Sequence, residues 1–216
     1  MAIAERPRLR GYFHLAAAMV APLGLVWLVL RANSPAEDAT AAVFGAGMIT
    51  LFVASSAYHI PPWPPKGKGI ARRLDHAAIF FFVAAAYTPF CMVALPLTWG
   101  IPLLATVGSL ALVGAVVKVC WPGTPPLINL AMYLAVGWAA LVAAPVIALE
   151  LGAYGMLMLV GAGLAFSAGG VIHAQGRPNP LPRWFGHHEI FHAATVVGTV
   201  MLFVVVDGWV FGSQAG

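Results

Sequence analysis

Charge is the scarcest property of this chain. Aspartate, glutamate, lysine and arginine together make up 8% of its 216 residues, while 61% are hydrophobic. Soluble domains carry roughly 25% charged residues, so a soluble fold is excluded and an integral membrane protein is expected. The apolar runs are about 20 residues long, the length that crosses a bilayer as helix. They do not alternate in polarity over about 10 residues, as the strands of a membrane barrel would. Cysteine is almost missing too. Cys91 and Cys120 fall toward opposite membrane faces on this reading, and a disulfide needs Cα atoms within about 7 Å, so none is expected. There is no clustered positive charge: the net +4 is scattered between apolar runs, which argues against a nucleic-acid partner and reports topology instead. Internal repeats, low-complexity tracts and a cleavable leader are also lacking. The first apolar run, after Arg6, Arg8 and Arg10, is long and has no small-residue cleavage site, so it reads as a retained span.

Seven apolar segments can be marked, at about 11–30, 40–60, 76–96, 101–120, 127–149, 152–173 and 188–210. They make one domain over 1–216, an all-α bundle of seven transmembrane helices. Proline-rich clusters punctuate the runs at Asn33–Pro35, Pro61–Pro65, Trp121–Pro126 and Arg177–Pro180, because proline removes a backbone donor and clashes with the preceding turn. Pro89 and Pro145 fall inside spans, where they are expected to kink the helix. With seven spans, Arg6, Arg8, Arg10, Lys66, Lys68, Arg72, Arg73, Lys118, Arg177 and Arg183 share the N-terminal side, and only Arg31 lies on the other. That imbalance predicts a cytoplasmic N-terminus and an external C-terminus.

On this topology the polar residues gather at one depth. Span 2 ends with Ser55-x-x-x-His59, span 3 opens at Asp75-His76, and span 7 opens with His188-Glu189-x-x-His192. Residues four apart share a helix face. Three imidazoles, His59, His188 and His192, with one open position, match a catalytic zinc site better than a closed structural one. The absence of thiolates argues against an iron–sulfur centre. Asp75 would either orient a ligand imidazole or hold the metal's water. His188-Glu189-x-x-His192 is also the pattern in which zinc proteases use the glutamate as general base. Here it opens the last span, with little chain left to add a carboxylate ligand, so Glu189 reads better as a support for a histidine. His14, His76, His173 and His187 are expected to be packing or interfacial residues, with His173 the best placed of them for a supporting role. Trp63 and Trp121 read as interfacial anchors, and Phe80–Phe82 as packing.

Together the blocks Ser55-Ser56-Ala57-Tyr58-His59, Leu74-Asp75-His76-x-x-Ile79, Ala86-Tyr87-Thr88-Pro89-Phe90 and Gly186-His187-His188-Glu189-Ile190-Phe191-His192 resemble the bacterial hemolysin III family. This is the prokaryotic branch of the progestin and adipoQ receptor superfamily, itself linked to alkaline ceramidases. The resemblance covers essentially the whole chain in order and spacing. It implies seven helices with zinc in the cytoplasmic leaflet, held by His59, His188 and His192, with Asp75 beside the metal's water and Ser55 at the motif serine. The adiponectin receptors differ at the position of Glu189 and carry a long soluble N-terminal region absent here, so hormone reception is not implied.

The expected function is that of a Zn²⁺-dependent, ceramidase-like hydrolase of a lipid amide or ester in the bacterial cytoplasmic membrane, with Asp75 and Ser55 as catalytic residues. Its partners would be membrane lipids and a lipid-like substrate, and its role membrane lipid homeostasis. The alternatives are a non-catalytic, receptor-like regulator with a structural zinc, and a hemolysin that forms a pore. A wide pore is disfavoured because polarity is confined to one end of the spans.

Overall fold

A computed structural model describes residues 7–211; Arg6, which enters the charge count above, lies outside them. The described residues are helical, with six segments long and apolar enough to cross a membrane. The chain is therefore a multi-pass membrane protein. Its elements are α1 (Tyr12–Arg31), α2 (Pro35–His59), α3 (Pro65–Pro89), a π-helical turn (Phe90–Ala94), α4 (Leu97–Cys120), α5 (Pro126–Gly137), a 3₁₀ turn (Ala139–Ala143), α6 (Ala144–Gln175), α7 (His187–Val205) and a closing π turn (Val206–Val210). Cys91 and Cys120 are both free thiols.

The expected punctuation holds: the four proline clusters fall at helix boundaries. Several helices nevertheless extend past the apolar runs. Ser34 caps α2, its Oγ accepting from the Glu37 amide at 3.2 Å, while the Glu37 carboxylate accepts from the Asn33 amide at 2.8 Å. This reciprocal cap starts the helix at Pro35, five residues before the hydrophobic run. Likewise Pro65, preorganised for a first helical turn, begins α3 eleven residues before the expected start at 76. Asp75 consequently lies within α3 and is buried, not at its threshold.

The stretch expected to be two spans, 127–149 and 152–173, is one 50-residue apolar segment, Pro126–Gln175, interrupted twice. The first break follows Gly137. Pro145 has no amide proton and its ring excludes the carbonyl four residues earlier, and the residues just before α6 wind as a 3₁₀ turn. The second is Gly152, at φ +63° and ψ −176° inside α6, a conformation open in practice only to glycine. Pro89 is the last residue of α3, which passes there into the π turn.

Helix α1 packs on α2, α2 on α3, α3 on α4, and α6 on α7, with α1 also against α7. Two polar contacts fix the direction of the last pair. Near the start of both, the Arg10 guanidinium bonds the Glu189 carboxylate. Near the end of both, the Arg31 Nε and Trp27 Nε1 donate to Asp207 Oδ1 at 3.1 and 3.0 Å. Helices α1 and α7 therefore run parallel. Phe44, Phe80, Phe82, Val107 and Val205 centre the buried interior, where close packing holds helices together in the absence of water.

Candidate metal centre

The histidines all gather at the end of the bundle where α1 and α7 begin. His59 is the last residue of α2, and His188 and His192 lie in the first two turns of α7. His59 Nε2 and His188 Nε2 are 3.2 Å apart. One nitrogen from each of His59, His188 and His192 falls within a sphere where all three lie within 4.8 Å of one another. Tetrahedral ligands at about 2.0–2.1 Å from zinc stand roughly 3.4 Å apart, so small side-chain rotations close the cage. His59 and His192 are buried and His188 is partly so. Among the described residues His192 Nδ1 has no hydrogen-bond partner, an arrangement costly for an imidazole unless something else uses the site. The donor set of three imidazoles fits a metal ion.

Asp75 joins the trio from α3. Its Oδ2 lies 3.6 Å from His59 Nε2, the same nitrogen that faces His188. A carboxylate that oriented the imidazole would bond the other ring nitrogen; this one faces the side on which the ion would be held. Ser55 is buried one turn before His59 and lines the same cavity. The motif residues Ser55, His59, Asp75, His188 and His192 are thus brought together from three helices.

Glu189 is not among them. It is fully buried, with Oε2 accepting from the Gly186 amide at 2.8 Å and Oε1 bonded by Arg10. Its carboxylate closes the first turn of α7 on itself, where a negative charge also suits the helix N-terminus. From the sequence Glu189 is expected to support a histidine; its carboxylate instead bonds Arg10 and the Gly186 amide.

The residues before α1 seal this end. The Arg8 and Leu9 amides donate to the carbonyls of Arg183 and Trp184 at 2.9 and 3.2 Å, and the Arg8 guanidinium lies 4.7 Å from the Trp184 ring centre. Gly11, at φ +88°, turns the chain into α1 so closely that a Cβ there would meet His59 Cβ at 2.9 Å.

A cavity of about 230 Å³ opens from the histidines into the bundle. Beyond them it is lined mostly by apolar side chains from the middle helices, including Phe82, Leu103, Ile147 and Leu159, and it reaches Leu202 on α7. His188 to Leu202 is 14 residues, about 21 Å along a helix. One leaflet of a hydrocarbon core is about 15 Å thick, so the residues that line the cavity are spread over more than that depth.

Sequence reasoning missed His14. It is buried, lines the cavity and stacks on His192 with ring centres 4.0 Å apart and planes 9° from parallel. Neither of its nitrogens has a hydrogen-bond partner among the described residues. The depth argument that grouped the other histidines finds it when applied to span 1. His76 and His173 line the cavity as well.

A family model described as "Haemolysin-III related" matches residues 3–203. The chain belongs to the haemolysin-III related family. Among curated members, it is 30% identical over 185 residues to the "Hemolysin-3 homolog" of Bacillus subtilis (strain 168), covering 84% of each chain. It is 30% identical over 166 residues to "Hemolysin-3" of Bacillus cereus, covering 76% of this chain and 72% of that one. In this haemolysin-III related chain, a buried three-histidine cluster able to hold a metal ion is joined to an apolar cavity.

Proposed function

We infer that the protein is a zinc-dependent hydrolase of a lipid amide or ester, ceramidase-like, in the cytoplasmic membrane of a bacterium. The observation that carries this reading is the junction of two features: a cluster of three imidazoles beside a carboxylate, and a mostly apolar cavity that starts at that cluster and reaches Leu202. His59, His188 and His192 hold the ion, and neutral imidazoles favour zinc over harder cations. When bound, zinc supplies Lewis acidity and makes water acidic enough to ionise near neutral pH. Asp75 would accept a proton at Oδ2, 3.6 Å from His59 Nε2. Ser55, one turn from His59, positions the polar link of the substrate. The apolar lining holds the acyl chain and keeps bulk water from the far end of the cavity.

The same reading includes seven spans with the N-terminus inside. Two observations support it. The 50-residue apolar segment Pro126–Gln175 is about 75 Å of helix at 1.5 Å per residue, more than twice a hydrocarbon core of about 30 Å. Parallel first and last helices also require an odd number of crossings. The excess of basic residues at the histidine end then favours a cytoplasmic location for the cluster.

The test is purified wild-type protein beside His59→Ala, with metal content measured and fatty acid release followed over a broad lipid panel. Wild type should hold zinc and release fatty acid, and His59→Ala should lose both. Zinc-replete protein that releases nothing overturns the hydrolase. Lysis, which the relatives' names suggest, draws no support from the cavity, whose lining beyond the histidines is largely apolar.

A further inference from the structure

A second trio of imidazoles lies at the rim of the cavity. His173, near the end of α6, and His187 and His188, opening α7, bring one ligand nitrogen each within 4.8 Å of one another, and all three are half-buried. The His173 and His188 rings meet edge to face at 4.7 Å, and His173 Nδ1 is buried with no hydrogen-bond partner among the described residues. His173 is held in place by Phe191, its ring 5.0 Å away and 24° from parallel.

His187 is prepared as a ligand by the loop between α6 and α7. Asn179 Nδ2 donates to the Gly176 carbonyl at 3.1 Å, which turns Asn179 Oδ1 toward His187. That oxygen accepts from the His187 amide at 3.1 Å and lies 2.9 Å from His187 Nδ1. An amide oxygen can only accept, so the ring proton sits on Nδ1 and the lone pair on Nε2. A hydrogen bond of this kind fixes the tautomer and orientation of metal-binding histidines. The loop itself, residues 176–184, is exposed, so this trio faces the surface while His59 and His192 lie behind it.

His188 belongs to both trios. A neutral imidazole has one lone pair to give, so His188 can serve one ion at a time. We propose that His173, His187 and His188 form a loading site, which takes a divalent metal ion at the surface and passes it to the buried trio as His188 exchanges partners. This rests on the reading of His59, His188 and His192 as a metal site.

The test uses full-length protein in nanodiscs, stripped with chelator and mixed with Co²⁺, whose visible absorption reports binding. Wild type should take one ion. His187→Ala should reach the same final occupancy but load at least tenfold more slowly, and His173→Gln, a second variant in case the first folds poorly, should do the same. His192→Ala leaves the surface trio whole and should hold an ion that chelator strips at least tenfold faster than from wild type. His187→Ala combined with His192→Ala should hold none. Wild-type loading rates in both His187→Ala and His173→Gln would overturn the loading site, as would two ions per wild-type chain or equal occupancy in His192→Ala and the double variant. If wild type takes up no ion, both trios fall. If His192→Ala binds and releases the ion as wild type does while the double variant is empty, the buried trio falls and the surface site stands.

Discussion

The phenol of Tyr87 occupies the gap in the helical ladder at Gly137. Its hydroxyl donates to the Gly137 carbonyl at 2.8 Å, lies 3.2 Å from the Val136 carbonyl and accepts from the Ala140 amide at 3.0 Å. One side chain of α3 thus satisfies backbone groups that the break between α5 and α6 would otherwise leave unpaired in an apolar interior, where each costs several kcal/mol. Removing that hydroxyl should be felt as lost stability. Tyr87→Phe should destabilise the protein by about 1–3 kcal/mol, read as a lower midpoint of thermal unfolding in detergent, with metal content per folded chain unchanged. An unaltered midpoint would show that the break is satisfied in another way.

Glu189 sits between the two clustered histidines of α7, His188 and His192, yet its carboxylate belongs to Arg10 and the Gly186 amide. If it were a general base, Glu189→Gln would abolish turnover in a stable, metal-loaded protein. The geometry gives the opposite expectation. Deleting one member of a largely buried ion pair costs about 3 kcal/mol or more, so Glu189→Ala should lower stability strongly. Glu189→Gln, which still offers an oxygen to Gly186, should lose less. Ion content per folded chain should stay at the wild-type level in both, measured by elemental analysis after gel filtration.

How much of this was legible in the sequence follows from which interactions are local. Helix type and the proline-marked boundaries come from run length and proline placement, both properties of the chain itself, and the grouping of His59, Asp75, His188 and His192 comes from depth and four-residue spacing. The start of α3 was misjudged by eleven residues because hydrophobicity marks the lipid-embedded part of a helix, while Pro65 and the basic residues after it extend the helix into the headgroup zone. The break after Gly137 was not legible because the group that satisfies it, Tyr87, comes from about 50 residues earlier. A lone histidine in an apolar run such as His14 gives no spacing signal; its depth in span 1 is the one clue in the sequence, and its stacking on His192 ties it to the site. The second trio depends on the fold of the loop at Asn179, which no periodicity announces.

Gly11 tests how tightly the N-terminal turn supports the site. At φ +88° any other residue is strained, and a Cβ would press on His59 Cβ at 2.9 Å and Ile60 Cγ1 at 3.0 Å. Gly11→Ala should cost about 1–3 kcal/mol through strain and displacement. Because the displaced neighbour belongs to the imidazole trio that could hold a metal ion, ion affinity should fall with it. A competition titration with a chromophoric chelator reads this, and unchanged affinity would mean that α2 alone fixes His59.

Asp75 separates holding an ion from using it. The Asp75 oxygen lies 3.6 Å from His59 Nε2 and is not one of the three clustered imidazole ligands. Its loss should therefore leave the ligand set whole. Asp75→Asn keeps the shape and volume but removes the capacity to accept a proton, a contribution typically worth about 10²–10⁴-fold in rate. The variant should retain wild-type ion content and lose lipid hydrolysis by at least about 100-fold. His59→Ala, by contrast, should lose the ion and activity together. If Asp75→Asn keeps both ion and activity, the carboxylate is not the proton acceptor. The receptor-like reading, in which the metal is a clamp, would then account better for the site.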